Sequence, residues 1–216
     1  MKFRSWTIIV FALVVFATTE SASAQTATIT EEDYWKGIKQ GHTATRAVFP
    51  RRETRKYESV SDGNVTYSRT EISEYLSSDT YRNTKTVVRN GTTNVTEALQ
   101  IGRVRYCREN AMDWKTSGCY QNPPAPLDDA DETKYALETT KDSLTYLRTT
   151  TFEEKATEKK AATNFATEDR FVLNKDMSIR ERTIIKMLAL TKSVTVRETD
   201  KYEYGIPLKP IVAPIK

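Results

Sequence analysis

From Arg52 onward the chain repeats one pattern: a strand-like run, then a short turn. Arg52 to Val60, Val65 to Leu76, Tyr81 to Val88 and Asn94 to Ile101 read as strands. Asp62-Gly63-Asn64 supplies the first turn, and Asn90-Gly91 is a strong hairpin signal. Consecutive strands joined by turns this short make an up-and-down antiparallel meander, which limits the fold more than any other feature. Tyr67 and Ile72 lie on opposite parities of one run, which predicts a bulge there. Thirty-two threonines and 11 tyrosines favour strands, while only 7 glycines and 7 prolines leave few sharp turns. Long strands in a broad, curved sheet fit that balance better than a sandwich of many short ones.

The meander leads into Ala98 to Tyr120, ALQIGRVRYCRENAMDWKTSGCY. Val104 and Tyr106 alternate with Arg103 and Arg105, a half-buried strand. Glu109 to Met112 suits a hairpin loop, and with that loop Cys107 faces Trp114 on the return. Cys119 would then lie five residues, or roughly 16 Å at about 3.3 Å each, from the position facing Cys107. A disulfide tolerates a Cα separation of only about 4.4–6.8 Å. Cys107 and Cys119 therefore bond if Lys115 to Cys119 folds back, as Ser117-Gly118 permits. The alternative is two buried thiols. One distant histidine makes these cysteines a poor zinc site.

Residues 1–24 read as a cleaved signal peptide: basic Lys2 and Arg4, an apolar run from Trp6 to Ala17, and Ala22-Ser23-Ala24 before Gln25. The apolar run is shorter than the roughly 20 residues that span a bilayer, and no later segment is apolar enough. The expected product is a periplasmic or secreted chain, not membrane-spanning, with residues 25–216 forming one domain. Its charges are interspersed, without the basic block of a nucleic-acid footprint.

Gln25 to Ile29 reads as a loose terminus. Thr30, followed by Glu31, Glu32 and Asp33, is an N-cap with acidic residues in the first turn. Tyr34, Trp35 and Ile38 give the helix an apolar face, Gly37 and Gly41 weaken it, and Pro50 ends any continuation. The helix either covers the sheet or acts as a movable lid. Beyond the meander, Asn122-Pro123-Pro124-Ala125-Pro126 and the acids Asp128, Asp129, Asp131 and Glu132 read as a surface crossover. Strands resume at Tyr135 to Thr139 and at Ser143 to Phe152, with Leu144, Tyr146 and Phe152 on one face. Glu153 to Glu168 is compatible with a helix or a polar hairpin. Phe171 to Leu173 and the residues from Ser178 flank a turn at Asn174-Lys175-Asp176. Ile184 to Leu190 is either a strand buried on both faces or a short helix. Val194 to Tyr204 is a strand, and the proline-marked end, GIPLKPIVAPIK, an edge or extended segment.

No catalytic signature emerges. His42 is the lone histidine, and no phosphate loop, HExxH, GxSxG or CxxC occurs. Asn64, Asn90 and Asn94 open N-x-T triplets, which matter only in a eukaryotic secretory pathway. No cofactor or metal is expected. The chemistry rests instead on aromatic and apolar residues: Trp35, Ile38, Tyr106, Trp114, Leu144, Tyr146 and Phe152. They belong either to an ordinary core or to an apolar surface left open inside a curved sheet with little to cover it.

The order of these features resembles a known superfamily. A signal peptide, an N-terminal helix and a long meander precede IGRVRYCRENAMDW, and the chain ends in KYEYGIPLKPIVAPI. This resembles the bacterial outer-membrane lipoprotein carriers and the related mycobacterial lipid-binding lipoproteins. The resemblance implies an incomplete antiparallel barrel, mainly β, with one or two helices covering its concave face and a lipid or acyl chain as cargo. It places Trp35 and Ile38 on the cap helix and Leu144 and Tyr146 on strands facing the cavity. The lipid-attachment cysteine of anchored members is missing here, and no arginine matches the one conserved in soluble members. The expected function is non-enzymatic binding or carriage of a hydrophobic molecule. The alternative is a structural envelope protein that binds a protein partner and fills its own cavity.

Overall fold

The computed structural model describes residues 24–116, 132–154 and 163–214. Helix α1 spans Glu31–Ala47 and starts as the sequence predicts: the Thr30 side chain accepts from the Asp33 backbone N–H at 3.1 Å. Eleven strands complete the fold: β1 (Gln25–Thr28), β2 (Arg51–Ser61), β3 (Asn64–Tyr75), β4 (Thr80–Arg89), β5 (Thr92–Ile101), β6 (Val104–Glu109), β7 (Glu132–Thr139), β8 (Leu144–Glu154), β9 (Thr163–Leu173), β10 (Ile179–Leu188) and β11 (Val194–Tyr204).

They form one antiparallel sheet in the order β1-β7-β8-β9-β10-β11-β2-β3-β4-β5-β6. Two meanders, β2 to β6 and β7 to β11, meet at the centre, where β11 pairs with β2 from Val196↔Ser59 to Tyr204↔Arg51. The outer strands, β1 and β6, are not paired to each other, so the sheet is curved material for a barrel that never closes. The mainly β, helix-covered open sheet expected from the sequence is the observed one, with a single helix among the described residues.

Most turns follow their residue chemistry. Asp62-Gly63 and Asn90-Gly91 take positive φ at both central positions, the backbone that matches strand twist in a two-residue hairpin. Asn110 and Ala111 do the same, with the Met112 N–H reaching the Glu109 carbonyl at 2.9 Å.

Three local readings change and a fourth, left open, is decided. Gln25 to Thr28 is a strand on β7, in register from Gln25↔Thr139 to Thr28↔Ala136. All four residues are exposed, so backbone bonds alone hold it, and hydropathy does not register those. The bulge in β3 falls at Thr66, where Ser59↔Tyr67 gives way to Val60↔Val65, N-terminal to both residues whose parity hinted at it. Cys107 pairs with Lys115 rather than Trp114, through bonds of 2.9 and 3.0 Å, so the return carries one extra residue. Ile184 to Leu188 is strand, because β9 and β11 flank it and take up its backbone groups; Leu190, in the turn beyond, is 91% exposed. From Ile206 to Pro214 the chain joins no strand of the sheet. Glu153 to Glu168 contributes the end of β8 and the start of β9, and its middle lies outside the described residues. The crossover at 122–131 and Cys119 also lie outside them.

Candidate ligand-binding face

α1 lies on one face of the sheet, against β7, β8 and β10. Tyr34, Ile38, Gly37, Gly41 and Thr45 form its buried stripe at the three- and four-residue spacing of a helix. Tyr34 and Ile38 meet Tyr146, Phe171, Leu173 and Ile179, while Leu137, Leu144 and Tyr202 close the margin. Burying each such large side chain is worth about 1.5–3 kcal/mol. The glycines that weaken the helix in isolation let it press onto the sheet. A Cβ at Gly37 would meet the Tyr146 ring at 2.2 Å, and one at Gly41 would meet Leu173 at 3.0 Å. Thr45, 2% exposed, accepts from the Ile179 backbone N–H at 2.8 Å. The helix is docked, and the chain's own side chains occupy the space beneath it.

Four of the seven apolar residues selected from the sequence converge here. Ile38 and Tyr146 are core, Leu144 packs against them, and Trp35 stands at the rim, 44% exposed. The Trp35 indole N–H donates to Glu31 at 3.2 Å, and the Arg148 guanidinium lies 5.3 Å from its ring centre. Phe152 shares the face farther along β8, stacked on Phe165 at 5.5 Å, with the Lys186 ammonium 4.4 Å from both rings. Tyr106 and Trp114 do not join them. Tyr106 opposes Leu99 near the far end of the sheet, on the other face, and Trp114 carries the Arg108 guanidinium at 4.7 Å.

Sequence reasoning missed the charges of this inner face. Directly opposed residues share a face, so Tyr146, Phe171, Arg182, Asp200, Arg55, Glu71 and Lys85 form one row across the sheet. Asp169, 1% exposed, accepts from Arg148 at 3.2 Å and from both ends of the Arg182 fork at 3.0 Å. Asp200, 3% exposed, accepts from Arg55 at 2.8 and 3.2 Å. Burial pushes the Tyr34 and Tyr202 hydroxyls well above the ordinary tyrosine range, with Asp169 and Asp200 respectively adding to the rise. Burial lowers the His42 pKa, and Arg46 and Arg182 lower it further; its ring stands edge to face with Phe171 at 6.0 Å. Alternating charge at strand period was the available signal, but it looks the same as a solvated surface.

Beyond the helix, the inner face of β2, β3 and β4 has no described helix packed on it. A cavity of about 190 Å³ opens there, lined by Glu53, Arg55, Glu71, Tyr75, Asp200 and Tyr202. It is polar, in contrast to the apolar open surface that the sequence suggested. Two tyrosine pairs flank it: Tyr57 and Tyr67 at 5.8 Å edge to face, and Tyr75 and Tyr81 at 5.5 Å. Each tyrosine is half-buried and offers an apolar ring with a polar tip. Among the described residues no group of three or more histidine, cysteine or acidic side chains is placed to hold a metal. None of their helices is long and apolar enough to cross a membrane.

No family model matches the sequence, and no curated protein matches it. Two solved structures align with the chain. The Mycobacterium tuberculosis lipoprotein LppX is 11% identical, with 83% of this chain and 99% of that one covered and a TM-score of 0.39. LprF from Mycobacterium bovis is 10% identical, with 85% and 97% covered and the same TM-score.

Proposed function

We propose that this chain is a non-enzymatic carrier or binding protein for a lipid, an acyl chain or another hydrophobic molecule with a polar end. The observation that supports this is the unequal cover of the sheet. α1 packs on β7, β8 and β10, while the tyrosine pairs of β2, β3 and β4 stand beside a cavity with no described helix above them. The ligand then lies beside the helix rather than under it. In this reading residues 1–24 are removed on export, residues 25–216 act as one domain in the periplasm or outside the cell, and Cys107 bonds to Cys119.

The close fit of Gly37 on Tyr146 favours a second reading, a structural or partner-binding envelope protein with a self-filled interior. Organic extraction of the exported chain, followed by mass spectrometry, separates the two. The carrier reading expects a stoichiometric amphiphile and saturable uptake of a fluorescent fatty acid by the stripped protein. An empty extract together with no uptake leaves the partner-binding reading.

A further inference from the structure

The inner-face arginines differ in what they meet: Arg148 and Arg182 end on Asp169, Arg55 on Asp200 and Arg51 on Glu53. Among the described residues Arg69 ends on no carboxylate, and neither does Arg105 at the far edge on β6, which has no tyrosine pair beside it. Arg69 lies between its cross-strand neighbours Tyr57 and Val87. Its guanidinium carbon is 5.6 Å from the centre of the Tyr57 ring, and its Nε is buried without a hydrogen-bond partner. Glu71, the next residue along that face, has an oxygen occupied by the Asn83 amide at 2.8 Å and stands opposite Lys85. Among the described residues no carboxylate pairs with Arg69. Exposed Arg89, opposite Tyr67, adds a second cation at the same end of the face.

A guanidinium presents a planar fork of donors that fits the two oxygens of a carboxylate or phosphate, and it tolerates an aromatic plane beneath it. Here the fork sits beside two tyrosine rings and a valine, surfaces that accept an apolar chain. We propose that Arg69, with Arg89 beside it, receives the acidic head group of an amphiphile whose chain lies over Tyr57, Tyr67 and Val87. The head is a carboxylate or a phosphate. This assignment rests on the binding function proposed above and adds the charge of the ligand to it.

The test titrates the stripped, full mature chain with 11-(dansylamino)undecanoic acid, with its methyl ester and with inorganic phosphate, in wild type and in Arg69→Gln. The acid is expected to bind at least tenfold more tightly than the ester to wild type, and that preference is expected to fall below twofold in Arg69→Gln while the ester is unaffected. Equal affinity of acid and ester for wild type overturns the head-group assignment and leaves the hydrophobic-ligand reading standing. Binding of neither probe removes both. Inorganic phosphate binding as tightly as the dansyl acid, with loss in Arg69→Gln, makes this a site for free anions and overturns the amphiphile. The acid-to-ester comparison in wild type needs no variant, so a misfolded Arg69→Gln does not rescue the assignment.

Discussion

Gly37 on α1 lies flat against the ring of Tyr146 on β8, with room for a hydrogen and none for a methyl group. On helix propensity alone Gly37→Ala is favourable by about 1 kcal/mol. Overpacking a filled interface costs about 1–3 kcal/mol, and a contact at 2.2 Å to a ring atom belongs at the upper end of that range. Gly37→Ala is therefore expected to lower stability by about 1–2 kcal/mol in urea unfolding followed by circular dichroism. In a Tyr146→Leu background the same substitution is expected to be neutral or stabilising. A wild-type background in which Gly37→Ala raises the midpoint contradicts close docking and reopens the lid.

The Thr45 hydroxyl is a buried tie between the C-terminal end of α1 and the sheet, beside long bonds from Arg51 to the Arg46 and Val48 carbonyls. Thr45 accepts the Ile179 backbone N–H at 2.8 Å, and its oxygen lies 3.2 Å from that of Tyr204, which donates to the Ile179 carbonyl. Thr45→Val keeps the shape and removes the acceptor, leaving a buried N–H unpaired at a cost of about 1–3 kcal/mol. Tyr204→Phe is expected to cost less, since the Thr45 bond to Ile179 survives it. Hydrogen exchange at the Ile179 amide should accelerate strongly in the first variant and weakly in the second. Equal acceleration would show that the hydroxyls act elsewhere.

How far such details can be read in advance depends on what holds each element. Helix α1 was legible because its cap, acidic first turn and apolar spacing are local signals. The meander was legible because Asp62-Gly63 and Asn90-Gly91 declare their turns. β1 was not, since four exposed residues paired only by backbone leave no hydropathic trace. The helix and strand periods showed the inward faces of α1 and β8, but only the resemblance brought Trp35, Ile38, Leu144 and Tyr146 to one place, where Ile38 and Tyr146 form packed core. Asp169 and Asp200 escaped notice because a charge at a strand position reads as solvent-facing until its cross-strand arginine is known. The same limit hid Arg69, whose interest lies in the carboxylate it lacks.

Asp169 is the node of the buried charge row. Removing it strands Arg148 and Arg182, each about a quarter exposed, beneath the helix. Breaking a buried ion pair from one side costs about 3–5 kcal/mol, and the partial exposure of both arginines draws the expectation to about 3 kcal/mol. Asp169→Asn keeps the volume and loses the charge, so most of that cost should appear in it as well. Replacing Asp169, Arg148 and Arg182 together by apolar residues is expected to recover much of the loss. Failure to recover would mean that the row also orients Tyr34, whose hydroxyl is buried beside it without a partner.

On the opposite face Glu74 stands between Arg52 and Arg82, accepting at 2.8 Å from each. Burial alone would raise its pKa, but the hydrogen bonds and charges of the two arginines outweigh that and hold the carboxyl below the ordinary glutamate range. The unfolded chain takes up its proton near pH 4.3, and folded Glu74 takes it up at a lower pH. Between those two pKa values the unfolded state binds more protons, so stability rises with pH there. The contribution is full above the ordinary glutamate pKa and disappears as pH falls through the lower, folded one. Glu74→Gln is expected to cost about 1–3 kcal/mol at pH 7, the range for hydrogen bonds to a charged group. The gap between wild type and variant should then narrow steadily as the pH is taken from about 5 towards 3, below that unfolded value. Urea midpoints of both proteins across this range measure it directly. A gap that stays constant to the acid end would mean that the two arginines hold Glu74 by shape rather than by charge.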